Sequence, residues 1–179
     1  MDWLLLTYRV PSEPSRNRVA IWRELKRLGA IYLQQSVCIL PREPKMEEAL
    51  RHLAQRIEER GGQSNLLPLA PLDPQEEEKI MQSFRVARDK DYEEILEQCD
   101  GLLRELTYET ERQNFSSAEV EENEEFLERL KRWFKRVQER DWFAASGRSL
   151  VEQRMAEAEA RLEDFTEKVY ERENLGEEK

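Results

Sequence analysis

Ala30-Ile31-Tyr32-Leu33, then Gln34-Gln35, then Ser36-Val37-Cys38-Ile39-Leu40-Pro41 sets the topology of the first part of the chain. Two short apolar runs flank a pair of polar residues, and a proline, which cannot donate to a ladder, closes the second. That pattern predicts a tight β-hairpin. Upstream, Val19, Ile21, Trp22, Leu25 and Leu28 recur at helical spacing after Ser15, with Gly29 placed as a C-terminal cap. The helix is expected to bury this whole set, Trp22 included. Before it, Trp3-Leu4-Leu5-Leu6-Thr7-Tyr8 is a continuous apolar and aromatic run bounded by Pro11, Ser12 and Pro14, which predicts a buried central strand. Downstream, residues 45–60 place Met46, Ala49, Leu50, Leu53 and Ile57 on one helical face ahead of Gly61-Gly62, and residues 65–69 form a last strand before Pro71.

The resulting order, β-α-β-β-α-β, is the ferredoxin-like split βαβ topology: a four-stranded antiparallel sheet with both helices on one face. The fold hosts many unrelated activities, so no function follows from the order alone.

From residue 71 the pattern changes to long amphipathic helices. Asp73-Pro74-Gln75-Glu76 is a helix start with a capping Asp, Pro at the first position and Glu at the third. Its helix carries Ile80, Phe84 and Ala87 and meets the charged run Arg88-Asp89-Lys90-Asp91, where a break is expected. Tyr92, Ile95, Cys99, Leu102 and Leu106 continue at steps of three and four. A second capping box, Ser116 to Glu119, opens the series Val120, Asn123, Leu127, Leu130, Phe134 and Val137. A third series runs Val151, Met155, Ala158, Leu162, Phe165 and Val169. Between them Asp141-Trp142-Phe143-Ala144-Ala145-Ser146-Gly147 reads as an apolar corner. Narrow seams of this kind belong to antiparallel helical hairpins or coiled coils. The expectation is therefore an α+β chain: a ferredoxin-like domain over residues 1–70 and an acidic all-α bundle over residues 71–179. Asn123 is a candidate for fixing register, and Cys99 reads as a packed seam residue.

Composition narrows the function classes. The chain has 179 residues, 38% of them charged, with a mean hydropathy of -0.87, yet it carries 4 Trp, 5 Tyr and 6 Phe, enough for a packed core. No run approaches the roughly 20 apolar residues of a membrane span, and a cytoplasmic location is expected. With 2 Cys far apart and 1 His, no metal-ligand spacing and no Ser-His-Asp set arises, so neither a metal nor a cofactor is expected. Cys38 lacks a nearby base or resolving cysteine and reads as a strand residue, and the chain reads as a non-enzyme.

The net charge of -10 is unevenly divided. Residues 1–70 hold 11 Lys and Arg against 8 Asp and Glu, a net of +3, whereas residues 71–179 hold 18 against 31, a net of -13. Acidity therefore does not exclude an anionic partner for the first part.

The segment Trp3 to Pro11, followed by Arg16, Arg18, Ile21-Trp22-Arg23, Leu28-Gly29-Ala30 and Ser36 to Pro41, resembles the N-terminal domain of the chromate resistance family ChrB. Phe84 to Arg88, Tyr92 with the helix to Leu106, and Val137 to Phe143 with its Asp141-Trp142-Phe143 corner extend the resemblance over residues 3–165. The first 41 residues are also similar to the middle domain of the phenylacetate repressor family PaaX, which shares a ferredoxin-like fold with a class of CRISPR-associated endonucleases. The ChrB resemblance implies a cytoplasmic regulator of chromate resistance operons that responds to chromate, in a family many of whose members carry a second C-terminal domain, not expected here. The endonuclease relatives place a metal-binding Asp at the end of the first strand; Tyr8-Arg9 stands there instead, which disfavours a metal nuclease. The winged-helix segment of the repressors is likewise not expected.

The candidate contacts to DNA phosphate or to a chromate-like oxyanion are Arg9, Arg16, Arg18, Arg23, Lys26, Arg27 and Arg42. Arg16 and Arg18 flank the start of the first helix, where free amides and the dipole favour anions. The competing readings are that Arg23 and Arg27 pair with the acidic second part, and that the acidic helices, besides forming a homodimer, present a partner surface or only a solvated one.

Overall fold

The first apolar run forms β1 (Trp3–Arg9), and in the computed structural model, which describes residues 1–177, it is a central strand. After α1 (Ser15–Leu28) come β2 (Ile31–Gln34), β3 (Val37–Pro41), α2 (Pro44–Glu59) and β4 (Gln63–Leu69), and the sheet order is β2-β3-β1-β4 with every pair antiparallel. This is the split βαβ arrangement the sequence predicts. Register puts Leu4 opposite Leu40 and Leu6 opposite Cys38. All four are buried, with Ile21 and Leu25 of α1 and Leu50, Leu53 and Ile57 of α2 completing that layer. Each such aliphatic side chain contributes about 1.5–3 kcal/mol on burial. Trp3 alternates to the opposite face. Its indole Nε1 donates to Glu77 at 3.0 Å, and the same carboxylate takes the Met1 amino group at 2.9 Å.

Two details differ from the sequence reading. The hairpin turns one residue later, at Gln35-Ser36, where Ser36 has φ 61°. Val19 and Trp22 are not in the core: Ile21 and Leu25 alone bury α1, and Trp22 is 49% exposed.

The chain divides into two compact units between Ser83 and Phe84, a boundary that falls inside α3 (Pro74–Glu111). Glu77 thereby stays in the unit whose N-terminus and Trp3 it holds. The expected break at residues 88–91 is absent. α3 runs unbroken because Arg88 occupies a seam position: Phe84, Arg88, Tyr92, Ile95, Cys99, Leu102 and Leu106 are its buried residues, at steps of four and three.

In the second unit α4 (Ser117–Gln138) and α5 (Arg148–Glu177) complete a three-helix core in which the three series meet. Gln138 pairs with Glu152, Lys131 with Glu159 and Ser117 with Glu173, so α4 and α5 run antiparallel. Ser116 caps α4 by accepting from the Glu119 amide at 3.3 Å. Among the described residues Asn123 makes no bond across the seam; its Nδ2 donates to the Glu119 carbonyl of its own helix at 2.8 Å.

Candidate nucleic-acid interface

At 3.6 residues per turn, the side of α1 opposite Ile21 and Leu25 presents Arg16, Val19, Arg23, Lys26 and Arg27, with Trp22 at its border; all six are exposed. The sequence supplies α1 with five cations and a single carboxylate, Glu24. That carboxylate is turned to the flank, where Arg56 of α2 holds it and Arg27 reaches it only at 3.8 Å. α1 itself places no carboxylate on its exposed side. Lys26 Nζ lies 5.6 Å from the centre of the Trp22 ring, a cation–π contact. Arg16, Arg18 and Arg23 have no ion pair or side-chain hydrogen bond among the described residues.

The start of α1 adds to this. Pro14 stands at the cap position, no side chain caps the first turn, and that turn holds no acidic residue. The orphan amides and the positive end of the helix dipole thus face solvent next to Arg16 and Arg18. Arg9, exposed at the end of β1 opposite Gln63, precedes the connection into that turn. Arg42 is elsewhere. Its amide donates to the Asp2 carbonyl at 2.9 Å, at the other end of β1, and its Nε donates to Glu47 at 3.0 Å. Glu47 also accepts from Arg51, and these two guanidiniums hold its carboxyl below the usual carboxylate range. Arg9, Arg16 and Arg18 therefore flank the connection from β1 into α1, Arg23, Lys26 and Arg27 follow along the helix, and Arg42 lies at the other end of β1.

Burial shields two phenols and a thiol of the sheet unit. Tyr8 and Tyr32 share a hydrogen bond at 2.9 Å, and burial raises the pKa of both phenols. Cys38 Sγ donates to the Leu6 carbonyl at 3.7 Å, and burial pushes its thiol up to about 12. Cys99, in the helical seam, is pushed up to about 11 by burial and by Asp100. A thiol at these values carries almost no thiolate near neutrality. Among the described residues no group of three His, Cys, Asp or Glu side chains is placed to hold a metal ion.

A second cluster of charges lies in the helical unit, where the sequence suggests only a helix break and an apolar corner. Asp91 takes both Arg88 at 3.0 Å and Arg140 at 2.9 Å. Tyr92 donates its hydroxyl to Asp141 at 3.0 Å, and Asp141 in turn accepts the Ala145 amide at 3.0 Å. Asp89 accepts the Gly147 amide at 2.8 Å and the Ser146 hydroxyl at 3.2 Å. Phe84 packs on Trp142 and Phe143 with ring centres 5.6 and 5.4 Å away. Gly147 lets the corner approach α3 closely, since a Cβ there would sit 3.0 Å from Tyr92 Cβ, a tight contact. Each carboxylate of the run thus fastens the segment between α4 and α5 onto α3. The signal for this was the stepping of Arg88 with Phe84 and Tyr92. The signal for the exposure of Trp22 was that Ile21, Leu25 and Leu28 already complete one apolar stripe.

Comparison with known proteins places the chain. The family model described as Protein ChrB, N-terminal, matches residues 18–176. Protein ChrB of Cupriavidus metallidurans is 32% identical over 82 residues, which are 46% of this chain and 25% of that protein. The matched stretch is thus a quarter of that relative's length. No solved structure matches the chain.

Proposed function

The chain belongs to the family described as Protein ChrB, N-terminal, and from that premise we propose that it acts in chromate resistance as a non-catalytic regulatory protein that binds nucleic acid through α1. The observation that carries the reading is the exposed side of α1: Arg16, Arg23, Lys26 and Arg27 with no carboxylate among them. Phosphate contacts of this kind position a protein on nucleic acid and supply most of its affinity at low salt. The uncapped first turn with Arg16 and Arg18 suits a tetrahedral oxyanion through the same chemistry, which gives chromate a place to compete with or modify binding.

The test is a mobility-shift series on the DNA flanking the gene, with and without chromate, from low to physiological salt. A shift that weakens as salt rises, and that Arg16→Ala with Arg23→Ala weakens further, supports the reading; no shift at low salt rejects it. Thermal melting with chromate, compared between the parent chain and Arg16→Ala with Arg18→Ala, checks the oxyanion placement. A second reading has its own observation. The groove between α4 and α5 has Leu127 and Leu162 in its lining, with Glu124, Glu128, Glu159 and Glu163 beside them and Lys131 paired to Glu128 and Glu159. Such a groove fits a basic amphipathic helix of a protein partner, and it is the reading that stands if nucleic acid fails to bind.

A further inference from the structure

Trp22 is the aromatic feature of the α1 face that phosphate binding leaves unexplained. A phosphate contact needs cations and N–H donors and gains nothing from an indole. Water makes an exposed indole costly, yet Trp22 shows 49% of its surface, one helical turn from Val19, which is 40% exposed. Its ring sits in a cationic setting, with Lys26 Nζ 5.6 Å from its centre, Arg18 and Arg23 on either side in sequence and no carboxylate on that side of the helix. An aromatic face bordered by cations is the pairing that holds a single strand: the cations track the backbone and the ring takes a base. Bases of an intact duplex are already stacked on one another and offer an exposed ring no face unless the step is opened.

We propose that Trp22 is a base-stacking platform, and that the α1 face prefers nucleic acid with unpaired bases over intact duplex, with Arg16 and Arg23 on the phosphates. The proposal rests on the nucleic-acid reading of α1 and sharpens its substrate. A nucleic-acid strand satisfies both parts of this face, its phosphates the cations and a base the ring, whereas the acidic residues of a second copy of the chain, with its net charge of -10, would meet the cations alone.

The experiment uses the full chain and fluorescence anisotropy with three labelled probes of about 16 nucleotides, the upper site size of a small single-strand binder: oligothymidylate, oligouridylate and a blunt duplex. At about 50 mM salt, at least one single-stranded probe is expected to bind about tenfold tighter than the duplex, and the two single-stranded arms tell DNA from RNA. Trp22→Ala is expected to weaken the single-stranded complex about tenfold, as loss of one stacked base does, and to leave duplex binding unchanged. Trp22→Phe is expected to keep most of the affinity, and circular dichroism should show both variants folded, since the side chain is half-exposed. Equal affinity for duplex and single strands, or a Trp22→Ala chain that binds single strands as the parent does, overturns the platform. Absence of binding to all three probes overturns the nucleic-acid reading beneath it, a different outcome that is separately visible.

Discussion

Arg88 is a cation at a position where its helix otherwise buries Phe84, Tyr92 and Ile95, and it remains only 6% exposed. Burial lowers the pKa of its guanidinium, and the neighbouring Asp91 acts the other way. Asp91 serves Arg140 as well, so one carboxylate is shared by two largely buried cations, and Asp141 adds a second negative charge near Arg88. Deleting this shared counter-charge removes an ion-pair partner from both guanidiniums at once, a loss of about 3–5 kcal/mol when a buried pair is broken from one side. Asp91→Ala is therefore expected to lower unfolding stability in urea by that order. Arg88→Met, which removes the buried cation and leaves Asp91 with Arg140, is expected to cost far less. Equal losses from the two variants would mean that the pair is not what fastens this corner. In sequence, Asp91 stands inside a charged run that looks like a helix end. Its partner lies 49 residues further on, and local spacing carries no record of a contact that distant.

Local signals, by contrast, did position the elements. Gly29 after α1, and Ser116 with Glu119 at the start of α4, act within four residues and appear where their chemistry demands, and the hairpin keeps a two-residue gap one position later, at Gln35-Ser36. What those signals do not weigh is which of two overlapping stripes on one helix faces the sheet. That is why Trp22 read as core although Ile21 and Leu25 had filled the place. Asn123 shows the same limit from the other side. At a seam position it reads as a register device, but it bonds only within its own turn, to a Glu119 carbonyl that also accepts the Asn123 amide as part of the helix. Removing the side chain orphans neither group. Asn123→Leu is thus expected to raise stability by about 1 kcal/mol through apolar burial next to Leu127, read as a higher melting temperature. A fall would show that the amide serves a partner across the seam.

Over the whole molecule the division of charge takes on a geometric meaning. The sheet unit, residues 1–83, holds 12 Lys and Arg against 12 Asp and Glu, so it is neutral, and residues 84–179 hold 17 against 27, which is the entire net charge of -10. Attraction for a polyanion cannot then come from a net positive unit. It has to come from separation within it: α1 carries five cations and one turned-away carboxylate, whereas Glu47, Glu48, Glu58 and Glu59 belong to α2 and Glu76 to Glu78 to the start of α3. Counterion release counts the phosphates actually neutralised, not the protein's net charge. Four cations on the exposed side of α1 should give a logarithmic salt slope of about -3 on a single strand, at about -0.7 per contact. Arg16→Ala with Arg23→Ala should reduce that slope by about 1.4. Both values are readable from anisotropy titrations across a salt series. A slope near -7, corresponding to roughly ten phosphates, exceeds what α1 can hold and would move the interface to a different surface. A slope unaffected by the two substitutions would do the same, because Arg16 and Arg23 would then touch no phosphate.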